Sequence, residues 1–395
     1  MQSGVTKPFE YTMTRRFFLF VISAAATLAA TSSPAAAQYF GRNKVQYEQF
    51  DFRILETPHF RLHFYPEEEQ PARDMARMAE RWNTRLSGMF NRQLTRRKPI
   101  LIYANQPDFQ QTNAVMAQLS EGTGGVTESL RDRLIMPLTG VYHDNDHVLG
   151  HEMVHVFQYD LASDSKAGGQ AGMGNLPLWV VEGVAEYLSI GRADPHTAMW
   201  MRDAVIQNKL PTIKQLTNDP RFFPYRYGEA LWAYVGGRWG DRAVAETYKA
   251  AARYGFDAGI KRALSISTDS LSRAWHAATK AAYGPSIAQR ANASALGQPL
   301  IPVRRAGESN LSPVISPDGR FIAFFAARGL FGFDLYLADA ATGRSVKRLA
   351  DVSTSSKFDA LSFISSAGTW SPDGGRFAFI VYAKGRSGDC DSRCD

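Results

Sequence analysis

His147-Val148-Leu149-Gly150-His151-Glu152-Met153-Val154-His155 and, further along, Trp179-Val180-Val181-Glu182-Gly183-Val184-Ala185-Glu186-Tyr187 decide how this chain is read. In the first stretch His151 and His155 stand four positions apart. On a helix that is about one turn, so both imidazoles project from one side and can share an ion. Glu152 lies about 100° further round, within reach of a water beside that ion. Leu149, Met153, Val154 and Phe157 give the segment the apolar backing a packed helix needs. Two imidazoles at this spacing with an adjacent carboxylate, H-E-x-x-H, form the zinc-binding pattern in which the histidines are the ligands and the glutamate serves the bound water.

A zinc ion that activates water takes three protein ligands and keeps its fourth position open. Glu182 is the candidate third ligand, a carboxylate twenty-seven positions after His155 in an otherwise apolar helix. Buried without a cationic partner it would be strongly destabilising. Glu186, one turn on, faces the same side and is expected to hydrogen-bond a ligand histidine and fix its tautomer. His147, one turn before His151 near the helix start, is read as a helix-end histidine with a hydrogen-bonding role; lining the cleft or touching substrate is the alternative. In the resulting chemistry zinc acidifies a water, Glu152 takes the proton, and a carbonyl is attacked. Tyr225 and Tyr227, in Pro224-Tyr225-Arg226-Tyr227-Gly228-Glu229-Ala230, are the candidate donors to the developing oxyanion; packing is the alternative for both.

The joint pattern, H-E-x-x-H followed by W-x-x-E-G-x-A-E-Y, resembles the gluzincin metallopeptidases and in detail the peptidase MA-like domains of bacterial envelope proteins. The resemblance covers residues 55 to 282 in outline, and its specific motifs lie in 147 to 187. It implies His151, His155 and Glu182 as zinc ligands, Glu152 as general base, and Glu186 as a carboxylate held against a ligand histidine. Val181 stands where the aminopeptidase branch carries asparagine, and the second histidine and the glutamate are more widely separated here. The resemblance therefore implies no exopeptidase specificity.

Around these motifs the pattern is mixed. His59 to Tyr65 alternates as a half-buried strand, ended by Pro66, and a helix with Met75, Met78, Ala79, Trp82, Leu86 and Met89 along one face comes next. Arg96-Arg97-Lys98 reads as a solvated turn before a strand at Ile100 to Tyr103. Gly122 to Gly125 leads into a strand at Leu134 to Leu138 near a cleft, where Pro137 argues for a sheet edge. A helix from Asp144 to Tyr159, a glycine-rich connector at Gly168 to Gly174, a second helix from near Pro177, and helical patterns over 227–282 complete this part. Residues 285–310, rich in Pro, Gly, Ser and Asn, read as a linker.

Beyond the linker Ser316-Pro317-Asp318-Gly319 is echoed by Ser371-Pro372-Asp373-Gly374, each leading into an aromatic-rich strand. These segments resemble the TolB-like, WD-type propeller repeats of bacterial envelope proteins. A propeller closes with roughly four to eight blades, and fewer than two are legible, so the chain reads as a truncated one.

The apolar run Phe17 to Ala30 comes after Arg15-Arg16 and ends in Ala35-Ala36-Ala37, the layout of an export signal cleaved after Ala37. It is twin-arginine in type, or a general secretory signal with two arginines. It is too short for a permanent anchor, so no stable transmembrane anchor is expected. The two cysteines, Cys390 and Cys394, allow no disulfide framework in the body. Hydrophobic residues at 45% and charged ones at 21% exclude a disordered, collagen-like or coiled-coil chain. Without the leader, 42 basic residues face 37 acidic ones, an excess too thinly spread for nucleic-acid binding.

The expected fold class is α+β: a zincin-like metallopeptidase domain, with a small mixed sheet plus helices and then a helical subdomain, followed by a partial β-propeller. The expected division is a signal peptide at 1–37, the peptidase MA-like domain at 38–284, the linker at 285–310 and the propeller repeats at 311–395. The expected function is an exported, periplasmic zinc (Zn2+) metallopeptidase acting on a peptide or protein substrate, with an envelope protein as a partner of the propeller. The alternative is a catalytically idle envelope scaffold that binds through the propeller. A third reading is hydrolysis of another amide, such as a peptidoglycan cross-bridge.

Overall fold

Alternating burial makes the first sheet. In the computed structural model, Phe60, Leu62 and Phe64 of β2 (Phe60–Phe64) point into the core while Arg61 stays exposed. The structure describes residues 46–393 apart from 116–118, 120, 130, 164–173, 289, 292, 303–307, 329–332, 352–354, 356, 359 and 365. The export signal, most of the glycine-rich connector and Cys394 lie outside the described residues. With β1 (Arg53–Glu56), β3 (Lys98–Tyr103), β4 (Val126–Glu128) and β5 (Arg133–Pro137), β2 forms a five-stranded sheet of order β1-β2-β3-β5-β4. β2, β3 and β5 are parallel; β1 and β4 pair antiparallel at the two edges.

Helix α1 (Glu69–Phe90) covers one face. Its stripe of Met75, Met78, Ala79, Trp82 and Leu86 is buried with Phe60, Leu62, Ile100, Ile102, Leu134 and Met136, and Met89 packs at its margin. The helix stops at Asn91, which turns left-handed at φ 49° and donates its N–H to Ser87 O. A short α2 (Gln106–Gln110), capped by the Asn105 side chain, comes after β3.

Two readings are corrected here. Pro137 does not mark an edge, because β5 is an inner strand. Leu138 N donates to Tyr103 O at 2.8 Å, so the Pro137 nitrogen faces β4, which stops at Val126 opposite Ile135. Among the described strand pairs, none reaches Pro137 from that side. Nor is the whole of Arg96-Arg97-Lys98 solvated. The Lys98 side chain is 4% exposed and ion-pairs with Asp132, with Asp160 at 3.8 Å. A basic residue at the first position of an inner strand is drawn in by those carboxylates, which are remote in sequence.

β5 runs directly into α3 (Tyr142–Ser163), whose Leu149, Met153, Val154, Val156 and Phe157 are buried. The second motif lies on α4 (Leu178–Ile190), of which Trp179, Val180, Val181, Val184 and Ala185 are buried. Then come α5 (Pro195–Ile206), α6 (Ile213–Asn218), α7 (Pro224–Trp239), α8 (Asp241–Tyr254), α9 (Phe256–Leu264) and α10 (Thr268–Ile287). The crossing of α4 and α7 requires glycine. A Cβ on Gly183 would fall 2.6 Å from the Gly228 backbone, and one on Gly228 2.6 Å from Trp179 O. Helix α10 extends to Ile287 and Ala293–Leu296 forms a further turn, so the start of the stretch read as linker is helical.

The C-terminal residues form two antiparallel four-stranded sheets, neither closed. The first is β6 (Asn310–Ile315), β7 (Phe321–Ala326), β8 (Asp334–Asp339) and β9 (Ser345–Ala350) in order. In the second, β10 (Ala360–Leu361) and β11 (Thr369–Trp370) both pair with β12 (Arg376–Ala383), which also pairs with β13 (Arg386–Arg393). The repeat has one geometry. Gly319 at φ 74° donates to Ser316 O, and Gly374 at φ 71° donates to Ser371 O, both at 2.9 Å. The sheets pack through Ala323, Phe325, Leu335, Leu361, Phe377 and Phe379. The architecture is thus mixed α+β with several small open sheets. No described helix is long and apolar enough to cross a membrane.

Candidate metal centre

Helices α3 and α4 bring three of the expected donors into one triangle. His151 Nε2 is 3.2 Å from His155 Nε2 and 3.2 Å from Glu182 Oε2, and His155 Nε2 is 3.3 Å from the same oxygen. A tetrahedral ion with bonds of about 2.0–2.1 Å sets its ligands about 3.3–3.4 Å apart, so this spacing suits three ligands of one small divalent cation. His151, Glu152 and His155 are buried, and the Glu182 side chain is 13% exposed.

The charges around the triangle favour a cation. Burial disfavours the His151 imidazolium, but Glu182 and Glu186 outweigh burial and push His151 up to about 10. His155 is raised too, with burial opposed chiefly by Glu182. Burial would raise Glu182, yet His155 and His151 hold it well below the usual carboxylate range. Among the described residues this cluster therefore gathers positive charge, which a metal can supply in place of protons.

The surroundings fix each donor. His155 Nδ1 meets Gln158 Oε1 at 2.7 Å, and Gln158 Nε2 donates to Val181 O at 3.0 Å, tying α3 to α4 beside the cluster. Glu186 lies 3.3 Å from His151 Nδ1 and 3.4 Å from His147 Nε2, charge contacts without hydrogen-bond geometry. Burial would raise Glu186 as well, but His147 and His151 hold it far below its ordinary value. Arg226 Nη1 donates to Glu186 Oε2 at 3.2 Å and lies 3.5 Å from Asp194 Oδ2.

Glu152 faces a cleft of about 430 Å³ lined by Gly122 to Gly125, His147, His151, Glu186, Tyr225 and Arg226. Its Oε2 accepts from Thr127 Oγ1 at 2.7 Å. Gly125 makes the room, since a Cβ there would stand 2.8 Å from Glu152 Cγ. The two tyrosines separate. Tyr225 stacks on His151 at 6.0 Å and 18°, and burial, then Glu182 and Glu152, keep its phenol protonated well above its usual pKa. Tyr227 is buried against Trp200 and Phe222 and does not line the cleft. It sits two positions from Tyr225 on a helix, hence on another face.

No family model matches this chain, and no curated protein does.

Gln158, Thr127 and Arg226 also belong to the site, although the sequence motifs do not include them. Gln158 carried the one usable signal, a polar residue one turn after His155 on a helix whose other neighbours are apolar. Thr127 and Arg226 reach the site from a different strand and helix, and nothing local marks them. His59 and His276 have ordinary partners, Glu80 at 2.7 Å and Pro211 O at 2.7 Å.

Proposed function

We propose that this chain is an exported, periplasmic zinc-dependent metallopeptidase of the gluzincin, peptidase MA-like kind. The observation that carries the reading is the triangle of His151 Nε2, His155 Nε2 and Glu182 Oε2, with edges of 3.2 to 3.3 Å. Buried Glu152 adjoins it in an open cleft. Those three residues would hold the zinc. A zinc ion supplies positive charge that acidifies water and polarises a carbonyl.

The chain's own residues do the rest. Glu152, fixed by Thr127 Oγ1, accepts the proton of the attacking water and returns it to the leaving amine. Tyr225, whose phenol is held protonated, donates to the negative charge developing on the substrate carbonyl oxygen. Gln158 orients His155, and Glu186, charge-balanced by Arg226, backs His151. The C-terminal sheets, with their paired Ser-Pro-Asp-Gly turns, support a second reading in which TolB-like repeats bind an envelope protein and the zinc cluster is idle.

Zinc content and cleavage of casein and a peptide library, measured for the wild type beside Glu152→Gln, test the choice. Zinc retained by both with cleavage lost in the variant supports the peptidase. Zinc bound with no cleavage by either supports the scaffold.

A further inference from the structure

One carboxylate joins the C-terminal sheets to the wall of the cleft. Glu121 Oε1 accepts from Ser362 Oγ at 2.7 Å and from Tyr382 OH at 3.4 Å. Its Oε2 accepts from Phe363 N at 2.7 Å and Ile364 N at 3.0 Å. Ser362, Phe363 and Ile364 begin the loop between β10 and β11, and Tyr382 lies on β12. Hydrogen bonds to a carboxylate are roughly twice as strong as neutral ones, and donors from three successive residues hold it in one orientation.

The residues just after Glu121 touch the general base. Gly122 to Gly125 line the cleft, Gly125 backs onto Glu152 Cγ, and Thr127 on β4 donates to Glu152 Oε2. The segment that places Glu152 thus starts at a residue gripped by chain more than two hundred positions away.

We infer that Glu121 is a positioning residue, which, by clasping Ser362, Phe363 and Ile364, sets the seating of residues 122–127 against Glu152, so that the C-terminal sheets serve the catalytic cleft. This rests on the peptidase reading for its effect on rate, while its effect on the segment stands apart from it. Gly125 lies so near Glu152 that an added Cβ would stand 2.8 Å from its Cγ, and a shift of about 1 Å in a catalytic group can cost about a hundredfold in rate.

The test uses the full chain carrying Glu121→Ala, Glu121→Gln or Ser362→Ala, with Arg386→Ala as control. Arg386 meets Glu48 at 3.3 Å in an exposed contact of the same sheets, away from the cleft wall. Glu121→Ala is expected to keep its zinc, lose about tenfold in kcat with KM within about twofold, and speed amide exchange over 122–128. Glu121→Gln, which keeps one acceptor, recovers part of the rate. Ser362→Ala gives a smaller loss that vanishes when added to Glu121→Ala, and Arg386→Ala changes neither kcat nor exchange at 122–128. Unchanged exchange over 122–128 in Glu121→Ala overturns the inference, as does an unchanged kcat with a lowered melting temperature. A wild type that cleaves nothing overturns the peptidase reading instead, and the exchange data then decide the placement of the segment alone.

Discussion

The acids of α4 and those of the two Ser-Pro-Asp-Gly turns in the C-terminal sheets are used in opposite ways. On α4, Glu182 and Glu186 are drawn inward and spend their charge on histidines of the neighbouring helix. In the sheets Asp318 and Asp373 stay at exposed turns and accept from Ser316 and Ser371 two positions back in sequence. Acids of the first kind assemble a centre from distant chain; those of the second kind shape only their own turn. Substitutions of the α4 acids should therefore alter chemistry out of proportion to stability, and those at the two Ser-Pro-Asp-Gly turns, which lie apart from the Glu121 clasp, the reverse.

The sharpest contrast is expected from Glu152→Gln, which should keep zinc and lower kcat/KM for a cleaved peptide by about 10³-fold, read in steady-state kinetics. Gln158→Ala and Arg226→Ala, which release His155 and Glu186, should each weaken zinc by about 10- to 100-fold in chelator competition. A protonation effect comes next. Burial is outweighed by the carboxylates at His151, which is pushed up to about 10, and at His155, which is raised too, so zinc competes with protons at this site in the metal-free protein. Binding should release about one proton at pH 7, seen by calorimetry in buffers of different ionisation enthalpy, and affinity should fall as pH falls. The smallest effect belongs to the sheets. Gly319→Ala, at φ 74°, should cost about 1 kcal/mol in denaturant unfolding and leave kcat unchanged. A Gly319→Ala enzyme with lost activity would break the contrast.

The legible parts of the fold and site are those whose physics is periodic and local. The one-turn spacing of His151, His155, Glu182 and Glu186, the stripe from Met75 to Leu86, and the turns at Gly319 and Gly374 all arise from residues a few positions apart. Where the structure differs, long-range partners decide. Lys98 is buried because Asp132 and Asp160 converge on it, and Pro137 is tolerated inside a sheet because β4 stops short of it. Tyr225 and Tyr227 could not be told apart until the Gly183–Gly228 crossing fixed which face of α7 meets the cluster. The Glu121 clasp has no sequence signature at all, since an acid beside a glycine run reads as a loop.

The central claim is that one zinc ion is held by His151, His155 and Glu182. It is tested most directly by zinc stoichiometry, measured by elemental analysis after metal stripping and dialysis against zinc, for the wild type, His155→Ala and Glu182→Ala. The expected result is about one zinc per wild-type chain and a loss of at least tenfold in affinity in either variant. A wild type that takes up no zinc, or a Glu182→Ala chain that binds it as tightly as the wild type, would contradict the claim.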